Sequence, residues 1–254
     1  MTHPIFYVDP EELAGLAPGD SYLLGGAEGH HAATVKRIAA GEGLDLVDGR
    51  GLRVAATAVA AVEGGLEVSV VGRPVREAGS GVVLVQALAK GDRDLMAVEM
   101  ATELGVDGVV PWQAERSIVR WKGERAAKAH AKWERTASAA AKQARRAAVP
   151  EVYDLHSSAE LPEAFDAGDR ILVLHEDAEL PLGEALRAQP LGAADRAGTV
   201  YLVVGPEGGI APGELALLEG AGGVAVRLGR DVLRSSTAGA AALAVINAAS
   251  GYWA

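Results

Sequence analysis

Four runs dominated by consecutive apolar residues constrain this chain more than any other feature. They are Val82-Val83-Leu84-Val85-Gln86-Ala87-Leu88, Ile171-Leu172-Val173-Leu174, Val200-Tyr201-Leu202-Val203-Val204 and Val224-Ala225-Val226-Arg227-Leu228. None alternates apolar with polar residues, so each reads as a strand covered on both faces. Each is followed by helix-compatible sequence, and strands alternating with helices imply an α/β fold built on a mostly parallel sheet with helices on both faces. The helix signals agree. Asp94 can cap a helix from Leu95 to Leu104 that stops at Gly105, and Pro212 and Gly220 can start and end another. Ser236 or Thr237 can cap a closing helix that runs to about Ala249.

Upstream of Val82 the pattern differs. Short strands are expected at Ser21 to Leu24, Leu44 to Val47, Leu52 to Val62 and Leu66 to Val71, with turns at Asp48-Gly49 and Gly64-Gly65. Alternation such as Val68 and Val70 with polar neighbours suggests a small antiparallel barrel or sheet, interrupted by a helical segment around His30 to Ile38. Residues 73–81 carry Pro74 and clustered small residues and read as a linker. The expected division is therefore a barrel domain at 1–73 and an α/β domain at 80–254.

Composition narrows the class. The chain has 254 residues, 49% of them apolar, 32 glycines without a triplet period and no cysteine. Collagen-like, disulfide-stapled and disordered classes are thereby excluded. No apolar stretch is long enough to span a bilayer, and the first residues lack a basic start followed by an apolar run, so no export or anchoring is expected. Absence of Cys is compatible with a reducing, cytoplasmic compartment.

The net charge of −10 argues at first against a nucleic-acid partner. Its distribution reverses that argument. Between Arg116 and Arg146 ten basic residues stand against two acids, so this segment carries +8 and the remainder −18. A long helix is expected here, from about Glu124 to Ala147. Lys128, Lys132, Arg135, Lys142 and Arg146 fall on one stripe, with Trp133, Ala137, Ala140 and Ala144 on another. The alternative is a solvated charged face, but a stripe of one sign costs helix stability, which favours a surface that meets phosphate.

The most specific stretch runs from Val203 to Ala242. Gly205-Pro206-Glu207-Gly208-Gly209 follows an apolar strand and precedes a helix, and small residues there let the backbone approach a polar or anionic ligand. The spacing matches neither a P-loop nor a dinucleotide fingerprint. Leu228-Gly229-Arg230-Asp231-Val232-Leu233-Arg234-Ser235-Ser236-Thr237-Ala238 then leads into the closing helix. Two such loops at the carboxyl ends of strands would form the crevice where α/β folds bind ligands.

These residues resemble the cofactor loops of SPOUT-class RNA methyltransferases and, more narrowly, the RsmE family, which methylates N3 of a uridine in 16S ribosomal RNA of the small ribosomal subunit. The resemblance extends along the chain. His31, Val35-Lys36-Arg37 and Asp48-Gly49 are similar to the family's PUA-like N-terminal barrel. Lys90-Gly91-Asp92-Arg93 with Glu103-Leu104-Gly105-Val106 resembles the start of its catalytic domain, and Glu115-Arg116-Ser117, Trp133 and Gln143, Arg146 and Pro150 resemble its middle. Two positions depart: Lys142 and Ser236 stand where the family often has Glu.

The resemblance implies a trefoil-knotted sheet, a homodimer that completes the site, and S-adenosylmethionine held by Leu174, His175, Val204, Gly205, Pro206, Glu207, Gly208, Gly209, Leu228, Gly229, Val232, Leu233, Ser235, Ser236, Thr237 and Ala238. A sulfonium methyl is already electrophilic, so the enzyme has mainly to align uracil N3 with it and assist loss of a weakly acidic proton. Arg146, Arg93 and Arg234 are the candidates for stabilising charge on the uracil oxygens or holding phosphate; the alternative for each is an ordinary ion pair. His31, Arg37, Arg116, Lys128, Lys132, Arg135 and Lys142 are candidate RNA contacts. No metal is expected, because the adjacent His30 and His31 lack further ligands at suitable spacing. Glu103 is a candidate proton acceptor, although a glutamate near a helix C-terminus is more often structural, and no base is assigned; Met96 and Met100 read as core. Competing functions are a non-catalytic RNA-binding factor with the same fold and a nucleotide-dependent metabolic enzyme; cofactor binding separates the first, and competition by ribosomal RNA the second.

Overall fold

The structure, a computed structural model, describes residues 3–191 and 198–253. It divides into two compact units, Met1–Gly79 with Ala141–Val149, and Ser80–Ala140 with Pro150–Ala254. The short segment 141–149 thus groups with the N-terminal strands, although its sequence continues the basic helix.

In the N-terminal unit, β1 (Ile5–Tyr7), β2 (Ser21–Gly25), β3 (Gly43–Val47), β4 (Leu52–Val62), β5 (Gly65–Val70) and β6 (Val75–Arg76) form one sheet in the order β1-β3-β4-β5-β2, with β6 on β4. The meander is antiparallel except that β1 joins β3 in parallel. Alternate inward residues, among them Leu44, Leu46, Val54, Ala56, Leu66 and Val68, bury a core with Phe6 and with Leu13 of α1 (Pro10–Ala14). The segment expected as one helix near His30 is instead α2 (Gly26–His30) followed by a single wider turn over His31–Val35. Arg37 then takes a positive φ of 54°, which ends it. Val149 donates its amide to the Gly49 carbonyl, tying 141–149 to the β3–β4 turn.

The C-terminal unit carries a sheet of parallel strands, all of whose described pairings are parallel. Its strands are β7 (Val82–Ala87), β8 (Gly108–Gln113), β9 (Glu151–Val152), β10 (His156–Ser157), β11 (Arg170–Leu174), β12 (Val200–Val204) and β13 (Val224–Val226), ordered β10-β8-β7-β12-β11-β13 with β9 on β8. Both faces are covered, which is why these strands read as unbroken apolar runs. Val82 and Leu84 pack with residues of α3 (Arg93–Glu103), α4 (Glu124–Gln143), α5 (Leu182–Ala188) and α7 (Ser235–Ser250). Val83 and Val85 face the other way, onto Leu218 of α6 (Pro212–Gly220).

Several local expectations shift. Asp94 is not the cap of α3; Asp92 holds that position in a left-handed conformation, and Asp94 is buried inside the first turn, where its carboxylate meets the Leu95 amide at 2.9 Å. Burial raises the Asp94 carboxyl above its usual range, against the pull of the backbone amides. Helix α7 begins earlier than expected, with Arg234 rather than Ser236 or Thr237 at the cap position and no side-chain cap. Met96 is 50% exposed rather than core, because α3 turns Ala97, Val98, Ala101 and Thr102 inward.

Trp133 anchors α4 to this unit. It is 2% exposed and meets Trp121 edge-to-face with ring centroids 5.4 Å apart. Trp133→Ala is expected to cost about 3–5 kcal/mol in chemical denaturation, the range for an aromatic removed from a core. A loss under about 1 kcal/mol would show that α4 is not held through this residue.

Candidate active site

Register sets the site. In the parallel pairings Leu174 of β11 lies opposite Val204 of β12, Val204 opposite Gln86 of β7, and Leu174 opposite Val226 of β13. Three strands therefore end level, and the loops that leave them at residues 175, 205 and 227 start from the same edge, where α/β sheets place ligands. Together they enclose a cavity of about 460 Å³, within the roughly 300–1,000 Å³ of small-molecule sites.

Leu174, His175, Val204, Gly205, Pro206, Glu207, Gly208, Gly209, Leu228, Gly229, Val232, Leu233, Ser235 and Ala238 all line it, and so do Arg93 and Arg234. Ser236 and Thr237 do not: Ser236 is buried in the first turn of α7 and Thr237 is exposed. Five further residues line the cavity without having been singled out, namely Glu176, Ile210, Arg227, Arg230 and Asp231. Glu176 and Ile210 directly follow the His175 and Gly209 positions, and Arg227, Arg230 and Asp231 lie within the strand and loop runs around Leu228. The lining is mixed, with aliphatic walls from Leu174, Val204, Ile210 and Leu228 and charged groups of both signs around them.

The Gly205–Gly209 turn requires its glycines. A Cβ on Gly205 would lie 2.6 Å from Ile210 Cγ1, and Gly209 has a φ of +74°, a conformation that L side chains enter only at a cost. The turn closes on itself through the Gly209 amide and the Pro206 carbonyl at 2.9 Å. Glu207 fastens one side of it. Its carboxylate accepts from the Lys90 amide at 3.2 Å and from Arg93 Nη1 at 3.0 Å. Burial alone would raise this carboxyl, but its own amide, the Lys90 amide and the Arg93 guanidinium outweigh burial and hold it below the usual range. Arg116 fastens the other side by donating to the Gly208 carbonyl at 3.0 Å.

The remaining candidates are spread over both units. Lys128 and Arg135 are exposed on α4, and Lys132 pairs with Asp92 at 3.0 Å. Lys142 belongs to the N-terminal unit, where it pairs with Glu28 and sits 5.8 Å from the centre of the Tyr7 ring. Arg146 belongs to that unit too, near Tyr7, whose phenol is pushed up to about 12 by burial and by Glu28 against the opposing pull of Arg146 and Arg53. His31 sits beside the Phe6 ring, and Arg37 is exposed. Glu103 ends α3. Among the described residues no group of three or more His, Cys, Asp or Glu could hold a metal ion, and no helix is long and apolar enough to cross a membrane.

Residues 76–247 match the RNA methyltransferase domain family. A ribosomal RNA small subunit methyltransferase E from Mycobacterium bovis is 42% identical over 261 aligned residues, covering 100% of this chain and 94% of that protein. The chain belongs to the ribosomal RNA small subunit methyltransferase E family. Its fold agrees with solved structures. One is the family's Neisseria gonorrhoeae enzyme bound to S-adenosylmethionine, with a TM-score of 0.79, 27% identity and 97% of each chain covered. Another is a Legionella pneumophila protein in complex with the same cofactor, with a TM-score of 0.76, 26% identity and 98% and 99% coverage. The motifs quoted from the sequence thus lead to the same RsmE family.

The Glu207 brace makes a pH prediction. A carboxyl whose folded value lies below its unfolded value stabilises the fold fully above the ordinary carboxylate range, and that contribution is lost as pH falls through the folded value. The melting temperature of Glu207→Gln is therefore expected to fall less than that of the wild type between about pH 6 and about pH 3, measured by scanning calorimetry without cofactor. Parallel curves would show that Glu207 forms no net favourable contact in the folded chain.

Proposed function

We propose that this chain transfers a methyl group from S-adenosylmethionine to N3 of one uridine in 16S ribosomal RNA of the small ribosomal subunit. The observation that carries the reading is the convergence of three loops from level strand ends on one cavity, in a chain of this family. The residues present suit the cofactor. Aliphatic walls fit a purine, and charged groups of both signs suit a zwitterionic amino-acid tail. The proposed contacts are Leu174, His175, Val204 to Gly209, Leu228, Gly229, Val232, Leu233, Ser235 and Ala238.

The bound cofactor supplies an electrophilic methyl group. The chain's own work is then orientation and charge. Arg93 and Arg234 stand at the cavity and stay ionised at any working pH, so each can stabilise the negative charge that grows on the uracil oxygens as the N3 proton leaves. Glu207 fixes Arg93 in place. The proposal for Arg146, in the unit that contains Tyr7, is a contact to RNA phosphate. Ser236 and Thr237, expected as cofactor contacts, are proposed to shape the first turn of α7 instead.

Further parts of the reading concern architecture. The N-terminal sheet is proposed as a PUA-like RNA-binding domain, its meander of short strands being the support. The C-terminal unit is proposed to carry a trefoil knot, supported by a strand order in which β12 lies between β7 and β11. A homodimer is proposed because Met96 on α3 and Val245 on α7 are exposed apolar residues on two helices that pack together. The working compartment is proposed as the cytoplasm, where ribosomal subunits are its substrate, and no metal is assigned a role.

Incubation with radiolabelled S-adenosylmethionine and small subunits from a strain lacking this enzyme should place one methyl group on N3 of a single uridine, mapped by arrest of reverse transcription. No transfer, or label on another atom, would contradict the proposal. The basic helix gives a second expectation. Because Lys132 and Lys142 already have acidic partners, the exposed Lys128 and Arg135 should carry more of the phosphate contact. Replacing both by Ala should reduce the slope of log affinity for RNA against log salt by about 1 to 2 while leaving cofactor affinity intact. An unchanged slope would make the stripe a solvated face.

A further inference from the structure

Charge alone places Arg116 among the RNA contacts, but its guanidinium is engaged within the C-terminal unit, on the Gly208 carbonyl at 3.0 Å. A Cβ added to Gly208 would meet Arg116 Cβ at 3.2 Å and Cδ at 3.7 Å, so the arginine stem lies along the turn as well. Arg116 does not line the cavity. Whatever it contributes there passes through the Gly208–Gly209 backbone.

The loop that carries Arg116 is itself held. Arg120 donates to the Ala114 and Glu115 carbonyls at 2.9 and 2.7 Å. The Glu115 amide donates to Glu214 Oε1 at 2.7 Å. Glu214 is only 4% exposed. Its Oε1 also accepts the Ser158 hydroxyl, which in turn accepts from the Trp112 indole N–H at 3.1 Å. Its Oε2 accepts the Ala211 amide at 2.9 Å. One buried carboxylate therefore reaches both the loop that carries Arg116 and Ala211, the α6 cap position two residues beyond the cavity turn. A buried carboxylate is tolerated only while its hydrogen-bond partners stay in place, so the two segments are fastened to each other.

We infer that Arg116 and Glu214 are positioning residues, which hold the Gly208–Gly209 backbone in the shape that receives the methyl donor. The inference rests on the reading of the cavity as the S-adenosylmethionine site. Glu207, with the Lys90 amide and Arg93, steadies one side of the turn; Arg116, set in place by Glu214, steadies the other. Without the second brace the turn populates other conformations, and donor affinity falls by the fraction that remains competent.

The test is equilibrium dialysis of the full chain with labelled S-adenosylmethionine, together with RNA binding over a range of salt concentrations. Arg116→Ala should weaken donor binding roughly three- to tenfold, the effect of one hydrogen bond of ordinary net strength. It should raise KM for the donor with little change in kcat, and leave RNA affinity and its salt slope as in the wild type. Arg116→Lys, which can still donate to a carbonyl, should recover part of the loss. Glu214→Gln should weaken donor binding in the same direction; Arg116→Ala keeps the test open if that variant does not fold. Donor affinity unchanged in Arg116→Ala, with or without a reduced RNA salt slope, overturns the inference. A wild-type chain that binds no donor overturns the cofactor assignment and this inference with it.

Discussion

The arrangement depends on the register of three neighbouring parallel strands. Backbone hydrogen bonding puts Leu174, Val204 and Val226 level across β12, β11 and β13, and burial of both sheet faces makes a slip of one residue expensive, since it would send every side chain to the opposite face. Once the ends are level, three loops must leave from one edge. A cavity forms because of where the strands stop, and the identity of the loop residues then determines what it can hold.

Those residues solve two problems at once. Glycine at 205 and 209 provides the close approach and the left-handed backbone that the turn needs, at the cost of conformational freedom. Side chains from elsewhere restore order: Arg93 and the Lys90 amide through Glu207, and Arg116 through the Gly208 carbonyl. The same economy of charge runs along the basic helix. Lys132 and Lys142 each have an acidic neighbour, whereas Lys128 and Arg135 stand exposed on the same helix. The acidic balance of the whole chain conceals this, because its excess negative charge lies outside residues 116–146.

Much of the fold was legible in the residues. The runs at 82–88, 171–174 and 200–204 are strands with bounds within a residue or two, and the helix from Pro212 to Gly220 is as its terminal residues indicated. The cavity loops were legible because glycine spacing is a local signal. Strand order was not, since the insertion of β12 between β7 and β11 depends on pairings more than a hundred residues apart. β8 was overlooked because Pro111 and Trp112 disguise it. Caps failed where burial intervened: Asp94 and Ser236 are chemically suited to capping but lie buried inside their helices. Arg116 read as an RNA contact from its charge and Glu214 carried no signal, because only the folded chain brings Arg116 to the Gly208 carbonyl and the Glu115 amide to Glu214.

Amide hydrogen exchange on addition of S-adenosylmethionine tests the central claim most directly. If the three loops form the donor site, protection should appear in peptides covering residues 174–176, 204–210 and 227–238, with little change in the β3–β4 meander. Protection confined to other segments, or none at saturating cofactor, would contradict the account.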